Sequence, residues 1–306
     1  MNSNQFPQTR IIILNYNGAE LLPQCLPSIM QAARQTNFTQ VTVLDNCSTD
    51  EGLSYVSKNF HDCCIERTTS NRLLCSYNDY LLKIKEPVII LLNNDMCVDR
   101  NFVMPLVEYF MKDPLAFLAA PKVMTFDGKT VESGRSKARM RFGIFECTAH
   151  YSGYVEEILK PSETFSAGFG AFSRDKFNRL EGYDELYLPG IMEDVDLCYR
   201  AQKLGYHLYY EPQSIVYHIG QVSFKKRFGT YQTAVLAHRN NFWFMWKNFS
   251  GSKFWIEHLF FLPLRLMFAV LRGNWAFVKG FFGALTTKKT SASGEIKTAE
   301  RKVLVC

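Results

Sequence analysis

Three short runs of apolar, largely β-branched residues dominate the first hundred positions of this chain, at residues 10–15, 41–44 and 87–92. Apolar residues at helical spacing occupy 19–35, between the first two runs. Continuous apolar runs of this length are typical of strands buried on both faces. The strand–helix–strand repetition therefore predicts an α/β fold, with a mostly parallel central sheet flanked by helices.

Each of these runs ends in polar residues. The three sets are Asn15, Tyr16 and Asn17, then Asp45 and Asn46, then Asn93, Asn94 and Asp95. Ligands bind beyond the carboxyl ends of the strands in such sheets, so these side chains predict one binding site at that edge. Residues 15–20 lack the Gly-x-Gly-x-x-Gly loop of dinucleotide-binding enzymes, which argues against an NAD-dependent function.

The second half of the chain carries shorter signals. We predict strands at 115–124, 164–173, 206–210 and 214–217, an amphipathic helix at 193–204, and a basic, glycine-punctuated insertion at 127–155. Small residues and Phe in 164–173 indicate a strand beside a ligand. The basic insertion is interpreted as a mobile excursion or an acceptor-side element.

Several residues of these segments could carry chemistry. Glu193, Asp194 and Asp196 crowd three carboxylates into the predicted helix start, which suits either the helix dipole or a general base of raised pKa. Asp95 after a strand is either a turn or cap residue or a ligand for a hard cation. His218 is either a satisfied, partly buried histidine or a ligand for metal or phosphate.

The C-terminal part of the chain is basic and aromatic. The net charge is +6, and residues 240–306 alone contribute +7, from 10 Lys and Arg against 3 Asp and Glu. The apolar segment 254–271 is interrupted by Glu257, Pro263 and Arg265 and falls short of a membrane span, which favours an amphipathic helix on an anionic membrane surface. A helix pair packed on the core is the alternative. No nucleic-acid reader motif occurs, so we expect no nucleic acid partner.

Cysteine usage and the N-terminus bear on the compartment. Nine cysteines without a Cys-x-x-Cys pair indicate reduced thiols. The polar first ten residues lack the apolar stretch of a secretory signal. Both observations predict a cytoplasmic location. The segment Arg239-Asn240-Asn241, set among Phe, Trp and Tyr, by itself indicates only a helix surface.

In their order along the chain, the motifs resemble those of the family 2 glycosyltransferases with the GT-A fold, in particular the bacterial rhamnosyltransferase-like branch. The resemblance covers residues 9–250. It rests on Asn15-Tyr16-Asn17, Asp45-Asn46-Cys47-Ser48-Thr49-Asp50, Leu92-Asn93-Asn94-Asp95, Gly168-x-Gly170-Ala171-Phe172, Glu193-Asp194-Val195-Asp196-Leu197-Cys198-x-Arg200 and Tyr217-His218. It implies an inverting, metal-dependent hexosyl- or rhamnosyltransferase that moves sugar from dTDP-rhamnose or a UDP-hexose to a cell-surface glycan or lipid-linked acceptor.

The resemblance also implies roles for single residues. Asp194, with Glu193 beside it, matches the general base, and Asp95 and His218 match positions near a Mg²⁺ or Mn²⁺ ion on the donor diphosphate. The positions implied to contact the nucleotide or donor sugar are Asn15, Tyr16, Asn17, Asp45, Asn46, Asn71, Asn78, Asn93, Asn94, Gly168 and Ala171.

From these observations we divide the chain into three segments. Residues 1–229 form the predicted GT-A catalytic domain, 230–285 a C-terminal segment of amphipathic helices, and 286–306 a disordered tail. We expect contact with the inner face of the cell membrane through residues 253–285, as a peripheral protein.

Two departures from the family pattern support a different reading. The Asn-x-Gly-Phe-x-x-x-Asn loop of the family is here Asn71-Arg72-Leu73-Leu74-Cys75-Ser76-Tyr77-Asn78, without its glycine, and the metal motif retains one carboxylate, Asp95. The alternative is a catalytically impaired relative that binds nucleotide sugar or scaffolds a glycan synthesis complex. The chain has no Gln-x-x-Arg-Trp motif, which argues against a processive synthase with membrane helices.

Overall fold

The computed structural model describes residues 6–148, 157–220 and 222–287. The strands are β1 (Thr9–Asn15), β2 (Thr39–Asp45), β3 (Cys63–Arg67), β4 (Val88–Asn93), β5 (Met96–Val98), β6 (Ala116–Thr125), β7 (Val131–Ser133), β8 (Lys137–Arg141), β9 (Ile144–Thr148), β10 (Ser162–Glu163), β11 (Gly170–Ser173) and β12 (His207–His218). The α-helices are α1 (Leu22–Arg34), α2 (Gly52–Asn59), α3 (Ser76–Leu81), α4 (Val103–Lys112), α5 (Arg174–Arg179), α6 (Glu193–Lys203), α7 (Val222–Asn248), α8 (Ser252–Leu271) and α9 (Trp275–Thr286).

Four parallel strands form one half of the central sheet, in the order β3–β2–β1–β4. The three apolar runs of the sequence are β1, β2 and β4, and the central residues of these strands are buried. The register sets Asn15 opposite Asp45 and Leu14 opposite Asn93. The polar residues that follow the three strands therefore meet at one edge, as the sequence predicts.

The other half of the sheet has mixed strand directions. Strand β11 lies antiparallel between β4 and β6, and β12 runs parallel to β6. Gly170 pairs with Leu91, so the residues just before β11 lie beside the carboxyl end of β4. Strand β5 pairs with β12 and sets Met96 opposite His218, which brings His218 to Asp95.

Some predicted boundaries change. The two short strands at 206–210 and 214–217 are one strand, β12, with an irregularity between Glu211 and Ile215. In the predicted strand 164–173, only β11 pairs in the sheet. Strand β3 was not predicted, because its side chains are mostly polar or exposed. The insertion forms β7 and the β8–β9 hairpin. Its residues 149–156, and residues 288–306 of the predicted tail, lie outside the described residues.

Helices cover both faces of the sheet. On one face, α1, α2 and α4 bury residues such as Leu26, Val56 and Leu106 against β1, β2 and β4. On the other face, α3, α5 and α6 contribute Tyr77 and Leu197 among others. These two clusters hold the sheet edge in place, so side chains that follow the strands are presented from a rigid support.

A third cluster joins the C-terminal helices to this domain. Phe242 and Phe244 of α7 and Leu262 of α8 pack with Phe145 of β9 and with Tyr187. The inner faces of these helices therefore pack on the core, as one of the two alternatives from the sequence expects. Helix α7 has a non-helical residue at Gly229, near the predicted boundary, but a separate domain at 230–285 stays a prediction.

The outer side of α8 is apolar and exposed. Its exposed large side chains are Ile256, Leu259, Phe260, Leu264, Met267, Phe268, Val270 and Leu271. Helix α8 is long and apolar enough to cross a membrane by length and composition, with a mean hydropathy of 1.6, so the expectation that this segment falls short was wrong on those two criteria. A single helix of this kind does not establish a span.

Candidate active site

Side chains that follow three strands form one buried network. Asn94 Nδ2 donates to Asn15 Oδ1 at 2.9 Å, and Asn15 Nδ2 donates to Asp45 Oδ1 at 3.1 Å. The second carboxylate oxygen of Asp45 accepts from the backbone N–H of Ser48 at 3.2 Å. All three predicted residues are buried, and neighbouring Asn93 is partly buried at the end of β4. The network is therefore preorganised by its own hydrogen bonds.

The residues after β1 shape the adjoining loop. Asn17 has a left-handed backbone, with φ of 49°. Its N–H donates to Ser48 Oγ at 2.9 Å, and its Oδ1 accepts from the Thr49 N–H at 2.9 Å. Asn17 thus braces the segment after β2, while Tyr16 beside it is largely exposed at the surface. Tyr16 has the accessible ring that contact with a nucleotide would need.

The loop that lacks the family glycine joins the same edge. Asn46 Nδ2 donates to Asn71 Oδ1 at 2.9 Å, and Ser76 Oγ donates to Asn46 Oδ1 at 2.7 Å. The backbone N–H of Leu73 donates to Asn71 Oδ1 at 3.1 Å, and Leu73 has a φ of 53°. Leucine thus takes a left-handed backbone at the position where the resembled family has glycine.

Two residues that are predicted to contact the nucleotide-sugar donor lie apart from this network. Asn78 ties down the backbone of Tyr183: its Nδ2 donates to the Tyr183 carbonyl at 2.8 Å, and its Oδ1 accepts from the Tyr183 N–H at 3.0 Å. Ala171 is fully buried in the sheet between Ala119 and Ile90. The Ala171 side chain belongs to the core, so it does not face the predicted site.

Asp95 and His218 meet at the β5–β12 junction. His218 Nε2 lies 3.3 Å from Asp95 Oδ2, and His218 Nδ1 lies 3.0 Å from Glu132 Oε2. Burial lowers the pKa of His218, but Asp95 and Glu132 outweigh burial and the net shift of this pKa is upward. Asp95 Oδ1 is buried without a hydrogen-bond partner.

The oxygen and nitrogen atoms of Asp95 and His218 fit a divalent ion that also binds phosphate. Within the described residues, no group of three or more His, Cys, Asp or Glu side chains is arranged to hold a metal by itself. Mg²⁺ is commonly bound by one or two carboxylates together with substrate phosphates, and imidazole is acceptable to Mn²⁺. The unpaired oxygen of Asp95 can serve as one such ligand, and the His218 ring becomes a second as neutral imidazole with one nitrogen released from Asp95 or Glu132.

Asp194 stands near the carboxyl end of β4. A Cβ atom added at Gly168, two residues before β11, would lie 3.3 Å from Asp194 Oδ2. Burial raises the pKa of both Asp194 and Glu193, and Asp194 adds to the shift of Glu193, whose pKa rises to about 8. Glu193 Oε2 has no hydrogen-bond partner. Near neutral pH, one of this pair therefore keeps a proton.

Asp196, in the same helical turn, has the opposite electrostatics. Its carboxylate accepts from Arg200 Nε at 2.7 Å, from Tyr187 Oη at 2.8 Å and from Lys247 Nζ at 3.0 Å. Burial opposes ionisation, but Arg200 and Lys247 outweigh it and lower the pKa of Asp196. This carboxylate is a satisfied structural anion.

A cavity of about 610 Å³ opens beside Asp194. The β8–β9 hairpin, the segment before β11, the start of α6 and the middle of α7 all contribute to its wall. Polar wall residues include Ser133, Arg135, Ser166, His238 and Asn241, and apolar ones include Phe145, Phe169, Met192, Val195 and Ala237. Gly168 also lines this cavity, and its contact with the donor sugar stays a prediction.

Helix α7 supplies residues that the sequence did not assign to the site. The expectation that Arg239-Asn240-Asn241 marks a helix surface was wrong, because Asn240 is fully buried and Asn241 is partly buried in the cavity wall. Asn241 Nδ2 donates to the Phe145 carbonyl at 2.9 Å, and its Oδ1 is buried without a partner. Three adjacent polar side chains in an aromatic helix were the available signal.

Comparison with known proteins identifies the family. The sequence model of Glycosyl transferase family 2 matches residues 10–180. The chain belongs to this family. No curated protein sequence matches the chain.

This family 2 glycosyltransferase also resembles solved structures. GalNAc-T7 with UDP, GalNAc and Mn²⁺ has a TM-score of 0.60 and 19% identity, over 78% of this chain and 48% of that one, so the chain spans about half of its length. The mannosyltransferase PcManGT from Pyrobaculum calidifontis, with GDP-Man and Mn²⁺, has a TM-score of 0.58 and 14% identity, over 94% and 78%. S. aureus TarS 1–349 has a TM-score of 0.55 and 14% identity, over 91% and 79%. These likenesses show the shared GT-A fold.

The family match covers only part of the site of this glycosyltransferase. Residues 10–180 include the strand-end network, Asp95 and Gly168. Helix α6 with Asp194, His218 and all of α7 lie beyond the match. The arrangement around Asp194 therefore comes from the structure and not from the family match.

Proposed function

We propose that this family 2 glycosyltransferase is an inverting, divalent-cation-dependent enzyme that moves one sugar from a nucleotide sugar to a glycan or lipid-linked acceptor. The position of Asp194 carries the proposal. Its carboxylate lies beside Gly168, near the carboxyl end of β4, and on the wall of the 610 Å³ cavity. A base there would stand between a donor held at the strand ends and an acceptor held in the cavity.

On the donor side, the proposed contacts are the residues at the ends of β1, β2 and β4. Asp45 and Asn15 would bind the nucleoside, with Tyr16 against the base, and Asn46 and Asn71 would border it. Solved relatives that contain UDP or GDP-Man support a nucleotide-sugar donor. A dTDP-rhamnose or UDP-hexose donor, and with it the rhamnosyltransferase-like branch, is our narrower proposal.

The transfer would be a direct displacement. Ionised Asp194 accepts the proton of an acceptor hydroxyl, the acceptor oxygen bonds to the anomeric carbon, and the bond from that carbon to the diphosphate oxygen breaks. Attack from the face opposite the leaving group inverts the anomeric centre. The Glu193–Asp194 pair would share one proton near neutral pH, and this step requires Asp194 to be its ionised member. Asp95 and His218 would hold Mg²⁺ or Mn²⁺, which neutralises the charge that develops on the departing diphosphate.

On the acceptor side, the chemistry of the cavity suits a saccharide. Ser133, Ser166 and the Asn241 carbonyl can hydrogen-bond hydroxyl groups, and Phe145 and Phe169 offer apolar faces for the C–H side of a sugar ring. We propose that residues 253–285 bring the enzyme to the inner face of the membrane, where a lipid-linked acceptor would be presented. The exposed apolar side of α8, together with its basic flanks, supports this placement.

A catalytically impaired relative is the second candidate. Leucine at position 73, in a left-handed conformation, and the single carboxylate of the Asn93-Asn94-Asp95 motif are the observations in its favour. Such a protein would bind nucleotide sugar without transferring it.

Nucleotide release from dTDP-, UDP- and GDP-sugars, with Mg²⁺ or Mn²⁺ or with a chelator, tests the proposal. We expect metal-dependent release from one donor, slow without an acceptor, and a loss of about 10²–10⁴-fold in Asp194→Asn. Asp175→Asn is the matched control, because Asp175 is exposed in α5 at the opposite edge of the sheet. Nucleotide binding without turnover would support the impaired relative, and full activity of Asp194→Asn would refute the base assignment.

A further inference from the structure

We propose that Asn240 of α7 is a positioning residue for Asp194, which acts by holding the turn that precedes α6. The inference rests on the proposed function, because Asp194 is the base only in that proposal. It goes beyond that function, since Asn240 is fully buried and does not line the cavity.

The turn before α6 has an unusual backbone. Gly190, Ile191 and Met192 have φ angles of 134°, 76° and 85°. Positive φ is uncommon for residues other than glycine and is a genuine outlier for a β-branched residue such as isoleucine. Such conformations persist only where the surrounding structure imposes them. Glu193 and Asp194 follow at once, so the turn determines where their carboxylates stand.

Asn240 provides the contacts that impose this conformation. Its Nδ2 lies 2.8 Å from each of the carbonyl oxygens of Tyr187, Gly190 and Ile191. The residue is fully buried, so water does not compete for these carbonyl groups. One side-chain amide therefore gathers three backbone carbonyls from five consecutive residues.

Arg239 fixes the orientation of this amide. Its Nε donates to Asn240 Oδ1 at 2.9 Å, which leaves the Asn240 NH2 group directed at the turn. A second guanidinium nitrogen of Arg239 donates to the Leu188 carbonyl at 2.8 Å. The guanidinium also lies 4.4 Å from the ring centroid of Trp243 on the same helix. Arg239 and Trp243 thus fix the Asn240 amide against the turn, and we call this contact between Asn240 and the three carbonyls the clamp.

This arrangement predicts a selective defect. Loss of the clamp would let the turn relax and displace Asp194, whereas Asn15, Asp45 and Asn94 are held by their own network. A displacement of about 1 Å at a catalytic group can cost roughly 100-fold in rate. Nucleotide binding should therefore survive a change that lowers turnover.

The test uses the full chain with Asn240→Ser, which can donate only one hydrogen bond, and Asn240→Ala. Asn178→Ala is the control, since it removes a comparable amide-to-carbonyl bond, to Leu81, in α5. Five quantities are measured: kcat and KM for donor hydrolysis, the pH profile of kcat, the Kd for UDP or GDP with Mn²⁺ by calorimetry, and hydrogen–deuterium exchange of residues 186–196.

We expect kcat to fall about 10- to 100-fold in Asn240→Ser, while KM and the nucleotide Kd stay unchanged. Hydrogen–deuterium exchange at 186–196 should become faster, and the acid limb of the pH profile of kcat should move to lower pH. Adding Ile191→Gly should recover part of kcat, because glycine adopts a positive φ without strain. Asn178→Ala should leave all five quantities unchanged.

Two results would overturn the inference: a wild-type kcat and pH profile in both Asn240 variants, or a parallel loss of kcat and nucleotide binding, which indicates general unfolding. An inactive wild type would refute the proposed function instead. In that case hydrogen–deuterium exchange at 186–196 still tests whether Asn240 holds the turn before α6. Faster exchange in the Asn240 variants supports this role, and unchanged exchange overturns it.

Discussion

Leu73 allows the strain in the altered loop to be measured. Its backbone has a φ of 53°, where a residue with a Cβ costs about 1–2 kcal/mol relative to glycine. The Leu73 side chain is also partly buried, so Leu73→Gly alone would mix relief of strain with loss of packing. Comparing Leu73→Ala with Leu73→Gly removes the packing difference, because neither variant has atoms beyond Cβ.

A second position serves as the reference that isolates the free-energy cost of the left-handed backbone at position 73 in the folded protein. Leu82, at the end of α3, is exposed and has right-handed backbone, with φ of −74°. At such a position glycine is less stable than alanine by roughly 0.5–1 kcal/mol. The unfolded-state contribution to each Ala-to-Gly step is the same at both positions and cancels in their difference. That difference should therefore be about 1–2 kcal/mol, in favour of glycine at position 73.

Urea unfolding of the four variants Leu73→Ala, Leu73→Gly, Leu82→Ala and Leu82→Gly measures this quantity. The comparison is valid while the dependence of the unfolding free energy on urea is the same in all four. If the Ala-to-Gly step destabilises the protein equally at positions 73 and 82, Leu73 is not strained and the reasoning fails.

Three further predictions concern charge and surface. Burial and Asp194 raise the pKa of Glu193 from its usual 4.5 to about 8, so folding takes up a proton and the unfolding free energy falls as pH rises through this window. Glu193→Gln should remove up to about 4 kcal/mol of that fall, measured by urea unfolding at pH 5 and pH 8. An unchanged pH dependence in Glu193→Gln would contradict this prediction. Lys247→Met should lower the unfolding free energy by about 2 kcal/mol, because buried Asp196 loses a charged donor, and a change near zero would count against that role. Phe260→Ser should weaken binding to anionic phospholipid vesicles by about tenfold or more in sedimentation, while an equal loss in the exposed control Leu82→Ser would argue against α8 as the contact surface.

The strand-end network could be predicted from sequence because each part of the argument is local. An apolar run gives a strand, the register of parallel strands gives a shared edge, and the polar residue after each run must lie at that edge. Asn15, Asp45 and Asn94 accordingly share hydrogen bonds. The predicted roles of these residues in donor binding remain predictions.

Other parts of the site depend on contacts that no local pattern contains. Asn240 bonds to backbone carbonyls about 50 residues earlier, and backbone carbonyls leave no signature in a sequence. Ala171 shares a motif with Gly168, but the alternation of a strand turns its side chain into the core. Asn78 follows the family spacing, yet it ties down the backbone of Tyr183 instead of joining the network.

The contrast between Asp194 and Asp196 shows what the long-range contacts contribute. The two carboxylates stand two residues apart in one helix, so residue type and helical position alone do not distinguish them, and only the family resemblance singles out Asp194. Helix α7 gives the two carboxylates different environments. Lys247 and Asn248 bond to Asp196, while no cation neutralises the Glu193–Asp194 pair among the contacts described. Asp196 is thereby fixed as an anion that anchors α6 to α7, and Asp194 keeps a raised pKa beside the cavity. The general base proposed above needs the second environment, which Asp194 has and Asp196 does not.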